Sequence, residues 1–137
     1  MFKVLIVIPT FNESESIAQL IQRIIKMRDV VSNQYHLDVL VVDDNSPDGT
    51  ADFVNDAKYQ NVFVLSQDTK KGLASAYLAG FQWGLARNYD FFMQMDGDLS
   101  HQPEQILQLL SLSSTKNLVI GTRWMAGGQV VNWPKRR

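Results

Sequence analysis

The sequence predicts an α/β domain built on a mainly parallel sheet, and three observations carry that prediction. Short β-branched runs alternate with longer segments of helical periodicity, with no low-complexity linker or internal repeat between them. The strand-like runs are mostly continuous in apolar residues, as strands covered on both faces are. Each run ends in a polar or charged stretch, which places those stretches together at the carboxyl edge of a parallel sheet. With 137 residues, 45% of them hydrophobic, one domain with one core is expected.

The strand candidates in chain order are KVLIVIP (3–9), DVLVVDD (38–44), VFVLS (62–66), FFMQM (91–95) and LVIG (118–121). After the first, Ile17, Leu20, Ile21, Ile24 and Ile25 recur at helical spacing, with Asn12 or Ser14 available as a cap. GLASAYLAGFQWGLARN reads as the third helix, whose Ala and Gly residues allow close packing on the sheet at some loss of propensity. Pro103 fits the first turn of a further helix through EQILQLL.

Composition narrows the function classes. Thirteen basic against 14 acidic side chains give a formal charge of -1, without the basic excess that non-specific nucleic-acid binding uses, so no nucleic-acid partner is expected. There is no cysteine, which removes disulfides, thiolate nucleophiles and Cys-ligated zinc. The opening MFKVLIVIPTF reads as a first strand, because it meets Pro9 and NESES without a small-residue cleavage site. No apolar stretch approaches the ~20 residues of a spanning helix. No signal peptide or spanning helix is expected in these residues. No G-x-G-x-x-G follows the first strand, and neither G-x-x-x-x-G-K-[ST] nor G-x-S-x-G occurs.

The chemistry gathers at the carboxyl edge. Asp96 and Asp98 lie two positions apart, so continued strand geometry would point both carboxylates the same way. Like charges so close repel unless a cation lies between them, and magnesium or manganese (Mg2+ or Mn2+) suits such a pair. A solvated Asp-Gly turn is the alternative; the proline-opened helix that follows leaves no second hairpin strand and ranks the metal reading first. SPDG is turn chemistry in its own right, which leaves Asp48 and Gly49 no further task. Asp44, at the end of the second strand, is placed to meet a ribose or base, with Asp43 fixing the loop. Glu13 divides evenly between ligand contact and a carboxylate favoured by a helix N-terminus. Lys70, Lys71 and Arg123 could approach a phosphate, Arg123 through its planar fork. His101, with no second histidine nearby, fits a loop or supporting role. Trp124, Trp133 and the terminal basic cluster could form a domain edge or meet an anionic lipid headgroup.

Taken in order, IPTFNE, VVDDNSPDGT, KKGLASAY, MDGDLSHQP, GTRW and GGQVVNWPKRR resemble the inverting glycosyltransferases of family 2, most of all the dolichol-phosphate and polyprenol-phosphate mannose synthases. The resemblance covers essentially the whole chain. It implies a Rossmann-like nucleotide-diphospho-sugar transferase fold of the A type, a nucleotide-sugar donor on the rim, and a divalent metal held by Asp96 and Asp98. A cytoplasmic chain, peripheral at a membrane, is what the resemblance implies for location. Pro9, Phe11, Glu13, Val42 and Asp44 would line the nucleotide pocket, Asp96, Gly97 and Asp98 would flank metal and diphosphate, and Arg123 would meet a phosphate. Asp98 and Arg123 are the residues it assigns to the catalytic step, and Arg136 to the acceptor phosphate. Phe11 stands where the family usually has tyrosine, and Gly97 where it usually has alanine. Members of the family continue past NWPKRR with acceptor-binding helices, which implies that residues 1–137 are a single donor-binding domain without its acceptor-binding part.

The implied reaction moves a sugar, mannose from GDP-mannose, to a polyprenyl phosphate with inversion. Alternatives are another family 2 transferase such as a polyprenol-phosphate glucose synthase, or a non-catalytic nucleotide-sugar-binding fragment. From another class, VLVVDDN and MQMD each match the acidic pocket and phosphoacceptor strand of a signalling receiver, although here a whole strand-helix unit precedes Asp43.

Overall fold

The computed structural model describes residues 1–113, 118–122, 124 and 126–128. Met1–Glu104 forms one compact unit and Gln105–Arg137 a second. The first holds a parallel sheet of strands β1 (Phe2–Thr10), β2 (Tyr35–Asp43), β3 (Val62–Ser66) and β4 (Phe91–Gln94), in the spatial order β3-β2-β1-β4. Helices α1 (Ile17–Val31), α2 (Thr50–Asp56) and α3 (Leu73–Leu85) are the crossovers. A 3-10 turn, Pro103–Gln105, leads into α4 (Ile106–Ser113), in which Ile106 and Leu110 are buried.

The core follows from the apolar runs. Val4 to Ile8 of β1 and Val39 to Val42 of β2 are completely buried, because both strands are central and covered on both faces. Ile17, Leu20, Ile21 and Ile24 of α1 are buried as their spacing requires, with Ile25 half-buried at the stripe's edge. From α3, Ala76 and Tyr77 join Leu5, Val7, Leu40 and Val42 in one cluster.

Three expectations need correction. Leu118–Gly121 is not a strand: Leu118 and Ile120 are 76% and 74% exposed, and an apolar run of four residues without a ladder has nothing to hold it extended. Neither Asn12 nor Ser14 caps α1. Its N-cap is Ser16, without a side-chain cap bond, because Asn12 turns at φ 58° and Glu13 O instead accepts the amides of Ser16 and Ile17 at 3.1 and 2.9 Å. The receiver reading also falls. Receivers follow the strand order 2-1-3-4-5, whereas the order here matches the 3-2-1-4 of the dinucleotide-binding class.

Among the described residues, no helix is long and apolar enough to cross a membrane.

Candidate functional site

In a doubly wound sheet, ligands bind beyond the carboxyl ends of the strands, where the winding direction reverses. Here β1 runs on to β2 and β3 on one side, and β4 lies on the other, so the reversal falls between β1 and β4. The two loops flanking that point carry Phe11-Asn12-Glu13 and Asp96-Gly97-Asp98. They touch: a Cβ added at Gly97 would stand 3.3 Å from Glu13 Cγ and 3.4 Å from Pro9 O, and Gly97 O accepts the Ser16 hydroxyl at 2.7 Å. An alanine at this position would therefore press on Glu13 by a few tenths of an ångström.

The DDNSPDGT loop holds the first of these loops in place. The consecutive amides of Asn12, Glu13 and Ser14 donate to Ser46 Oγ, Thr50 Oγ1 and Asp48 Oδ2 at 3.0, 3.1 and 3.1 Å. Ser46 is fixed in turn by Asp43, whose Oδ1 accepts from Ser46 Oγ and Thr10 Oγ1, both at 2.7 Å. Asp43 thus has the loop-fixing task read from the sequence. Asp48 does more than turn the chain, since it spans to Ser14 as well as bonding Thr50.

Burial alone would raise the Asp48 carboxyl, but the bonds from Thr50 and Ser14 outweigh it and bring it down to about 2, from an ordinary 3.8. Between these values the unfolded chain binds the extra proton, so stability rises with pH across the window and is lost as pH falls toward 2. Asp48→Asn is therefore expected to be less stable than the wild type above about pH 4, by less than about 1 kcal/mol because the side chain is exposed. Unfolding midpoints measured from pH 2 to 6 should converge at the acid end. A gap that persists unchanged to pH 2 would assign the effect to neutral hydrogen bonding.

Asp44 is 4% exposed and already engaged: Oδ1 and Oδ2 both accept the Lys71 amide at 2.9 Å, Oδ2 the Gly72 amide at 2.9 Å, and Oδ1 the Gln67 side chain at 3.2 Å. It ties the β3–α3 loop to the end of β2, and any ligand contact shares a carboxylate with that task. Val42 has no exposed surface, so its side chain offers nothing to a ligand and packs beneath α3. Pro9 pairs with Val42 across the ladder. Phe11, 36% exposed, carries Lys70 Nζ 3.7 Å from its ring centroid, a cation–π contact joining the loops after β1 and β3.

Strand geometry does not carry through the aspartate pair. β4 ends at Gln94, Gly97 and Asp98 form a turn, and Leu99 takes φ 66°, rare for a bulky side chain. Asp98 Oδ1 accepts the Ser100 amide at 2.9 Å. The turn reading that the sequence ranked second is thus what the backbone adopts, and the turn leaves Asp98 exposed. Its carboxyl, which burial would raise, is held lower by the Ser100 bonds. Arg23 of α1 braces the segment beyond, donating to Gln102 at 2.6 Å and to Glu104 at 2.9 Å.

Glu13 reports the field of the site. Burial, and then the charges of Asp98, Asp48 and Asp96, push its carboxyl up against a lowering bond from Ser16. The three aspartate charges thus add to burial in disfavouring a further negative charge here. Among the described residues, no group of three or more acidic, His or Cys side chains is gathered to hold a metal unaided. Magnesium and manganese take one or two carboxylates and complete their shell with water and substrate phosphates, so a two-aspartate donor set is of the kind they accept. Asp96 and Asp98 would supply hard oxygen donors to such an ion, and a diphosphate the rest.

Sequence reasoning missed Tyr77. From α3 its hydroxyl donates to Asp96 Oδ1 at 3.0 Å, and burial, followed by the Asp96 charge, pushes the phenol pKa up. Its place within KKGLASAY, on the helix face of Ala76 and Gly80, was the available signal. Arg123, Arg136 and Trp133 lie outside the described residues; Trp124 is 82% exposed.

The comparisons with known proteins agree with this architecture. Residues 5–137 match the model of glycosyl transferase family 2. An undecaprenyl-phosphate mannosyltransferase of Micrococcus luteus is 50% identical over 98% of this chain and 54% of its own length. A polyprenol monophosphomannose synthase of Mycolicibacterium smegmatis is 43% identical over 98% of this chain and 50% of its own. The chain thus spans about half the length of these relatives. Among solved structures, S. aureus TarS 1-349 in complex with UDP superposes with a TM-score of 0.64 at 21% identity, covering 82% of this chain and 32% of that one, a likeness of fold. The predicted A-type glycosyltransferase fold stands, and the chain belongs to glycosyl transferase family 2.

Proposed function

We propose that the chain is the donor-binding part of a glycosyltransferase that moves mannose from GDP-mannose to a polyprenyl phosphate at a membrane surface, with inversion. The observation that carries this reading is the 50% identity, over nearly all of the chain, to a protein named for mannose transfer to undecaprenyl phosphate. The donor lies across the β1–β4 switch point. Phe11 offers its ring to the base, Pro9 and Glu13 border the pocket, and Asp44 takes the ribose or base from the rim of β2. Asp96 and Asp98 hold a divalent cation, which when bound neutralises charge building on the departing diphosphate. Arg123 meets a phosphate and Arg136 the acceptor's.

An acceptor phosphate is already anionic, so none of these residues has to remove a proton from it. Glu13, the carboxyl at the switch point pushed upward by burial and its acidic neighbours, is not called on as a base. Attack from the face of the sugar opposite the diphosphate gives inversion.

The test is calorimetry of the chain with GDP, UDP and GDP-mannose, with and without manganese. Manganese-dependent binding of GDP and GDP-mannose, tighter than UDP, is the expected result. UDP preference would replace the donor, and binding indifferent to metal would remove the metal assignment. Transfer to a polyprenyl phosphate by the chain alone separates an active enzyme from a piece that binds donor only.

A further inference from the structure

We propose that Tyr77 and His101 are positioning residues that clamp Asp96 from two sides and so set the direction in which its free oxygen faces. This rests on the reading that Asp96 meets the donor and its metal.

Asp96 lies past the end of β4, where no ladder holds it, and its side chain is 40% exposed. A carboxylate so placed would swing among rotamers, and every binding event would have to order it. Two contacts prevent this. The Tyr77 hydroxyl donates to Oδ1 at 3.0 Å, from a ring that is itself 9% exposed and packed in the core cluster. The Asp96 amide donates to His101 Nδ1 at 3.0 Å, fixing the backbone from which the carboxylate projects.

The second bond selects a tautomer. An Nδ1 that accepts carries no hydrogen, so the neutral ring must bear its proton on Nε2. Nε2 lies 3.7 Å from Asp96 Oδ2, too far for a hydrogen bond. Oδ1 is therefore turned toward α3, while Oδ2 makes no hydrogen bond within the described residues. Tyr77 and His101 each act through Asp96, with no contact to the ligand required of either.

The experiment compares the chain with Tyr77→Phe, His101→Ala and His101→Asn. Nitrogen-15 NMR of the imidazole should show the Nε2–H tautomer; the Nδ1–H tautomer would overturn the clamp outright. Manganese-dependent GDP affinity should fall roughly three- to tenfold in Tyr77→Phe and in His101→Ala, as loss of one hydrogen bond to a positioned group implies. His101→Asn should restore it, because the amide oxygen can occupy the Nδ1 position and accept the same N–H. Tyr77→Phe keeps the buried ring, so its unfolding midpoint should stay near that of the wild type. Unchanged affinity in both Tyr77→Phe and His101→Ala, alongside loss in Asp96→Ala, would overturn the proposal. If the wild type binds no manganese and GDP, the donor-site reading fails by itself. The tautomer, and a shift of the Asp96 amide resonance in Tyr77→Phe, then still decide whether the clamp exists.

Discussion

Asp98→Asn is expected to weaken manganese-dependent binding of GDP roughly 10- to 100-fold, the cost of losing one charged contact, while leaving the fold intact. The two halves of this prediction have separate physical origins. Asp98 is exposed, and its backbone contact among the described residues, the Ser100 amide on Oδ1, is a bond that the asparagine oxygen reproduces. The change in stability should stay within about 0.5 kcal/mol, as for surface substitutions that break no special feature. What asparagine lacks is the negative charge, and with it the attraction for a divalent cation. Asp44→Asn makes the useful contrast. It too stands in the proposed pocket, but it is 4% exposed and collects the Lys71 and Gly72 amides, so it should lose stability and nucleotide affinity together. Parallel calorimetry and thermal unfolding of the two variants separate ligand chemistry from loop anchoring. If Asp98→Asn leaves metal-dependent affinity unchanged, Asp98 holds no metal.

Much of this was legible in the sequence for a physical reason. Central parallel strands must be apolar on both faces, so β1 and β2 announced themselves as long runs and the edge strands β3 and β4 as shorter ones, and the polar residues after each run had to fall on one rim. The boundaries were harder. β2 begins at Tyr35 and not at Asp38, because Asp38 is buried in mid-strand, where it accepts the Tyr89 hydroxyl at 2.7 Å and faces His36 Nε2 at 3.0 Å. A buried aspartate looks like a strand end until its partners are known, and Tyr89 lies 51 positions away.

The same limit applies at the site. Residue types identified Asp96 and Asp98, but the span from Asp48 to Ser14, the Lys70–Phe11 contact and the Tyr77–Asp96 bond join different loops and helices. No local pattern encodes such pairings. Conversely, LVIG had strand composition without a partner strand, and composition alone misassigned it.

Gly80→Ala is expected to destabilise the chain by about 1–2 kcal/mol, against the sign of helix propensity. In a helix interior alanine is favoured over glycine by about 0.8–1 kcal/mol. Packing opposes that gain: a Cβ at Gly80 would stand 2.4 Å from Val7 Cγ1 and 3.2 Å from Cγ2, and 3.4 Å from Val42 Cγ2. Val7 is β-branched, fully buried and in a strand paired on both sides, so it cannot rotate or retreat, and overpacking of this kind costs about 1–3 kcal/mol. Gly84→Ala meets Phe92 Cε1 at 2.4 Å and Leu5 Cδ2 at 2.7 Å. The Phe92 ring is half-buried on the edge strand and the leucine contact is a terminal methyl, so relief is easier and the loss should be smaller. Thermal unfolding tests the ranking, and a Gly80→Ala variant as stable as the wild type would mean that α3 does not lie this close to the sheet. The consequence reaches the site, because Tyr77 is one turn before Gly80 on the same buried face. If alanine lifts α3 from Val7, the Tyr77 hydroxyl moves with it away from Asp96 Oδ1. Gly80→Ala should then weaken manganese-dependent GDP binding even where the chain remains folded, and Gly84→Ala, farther along the helix, should weaken it less.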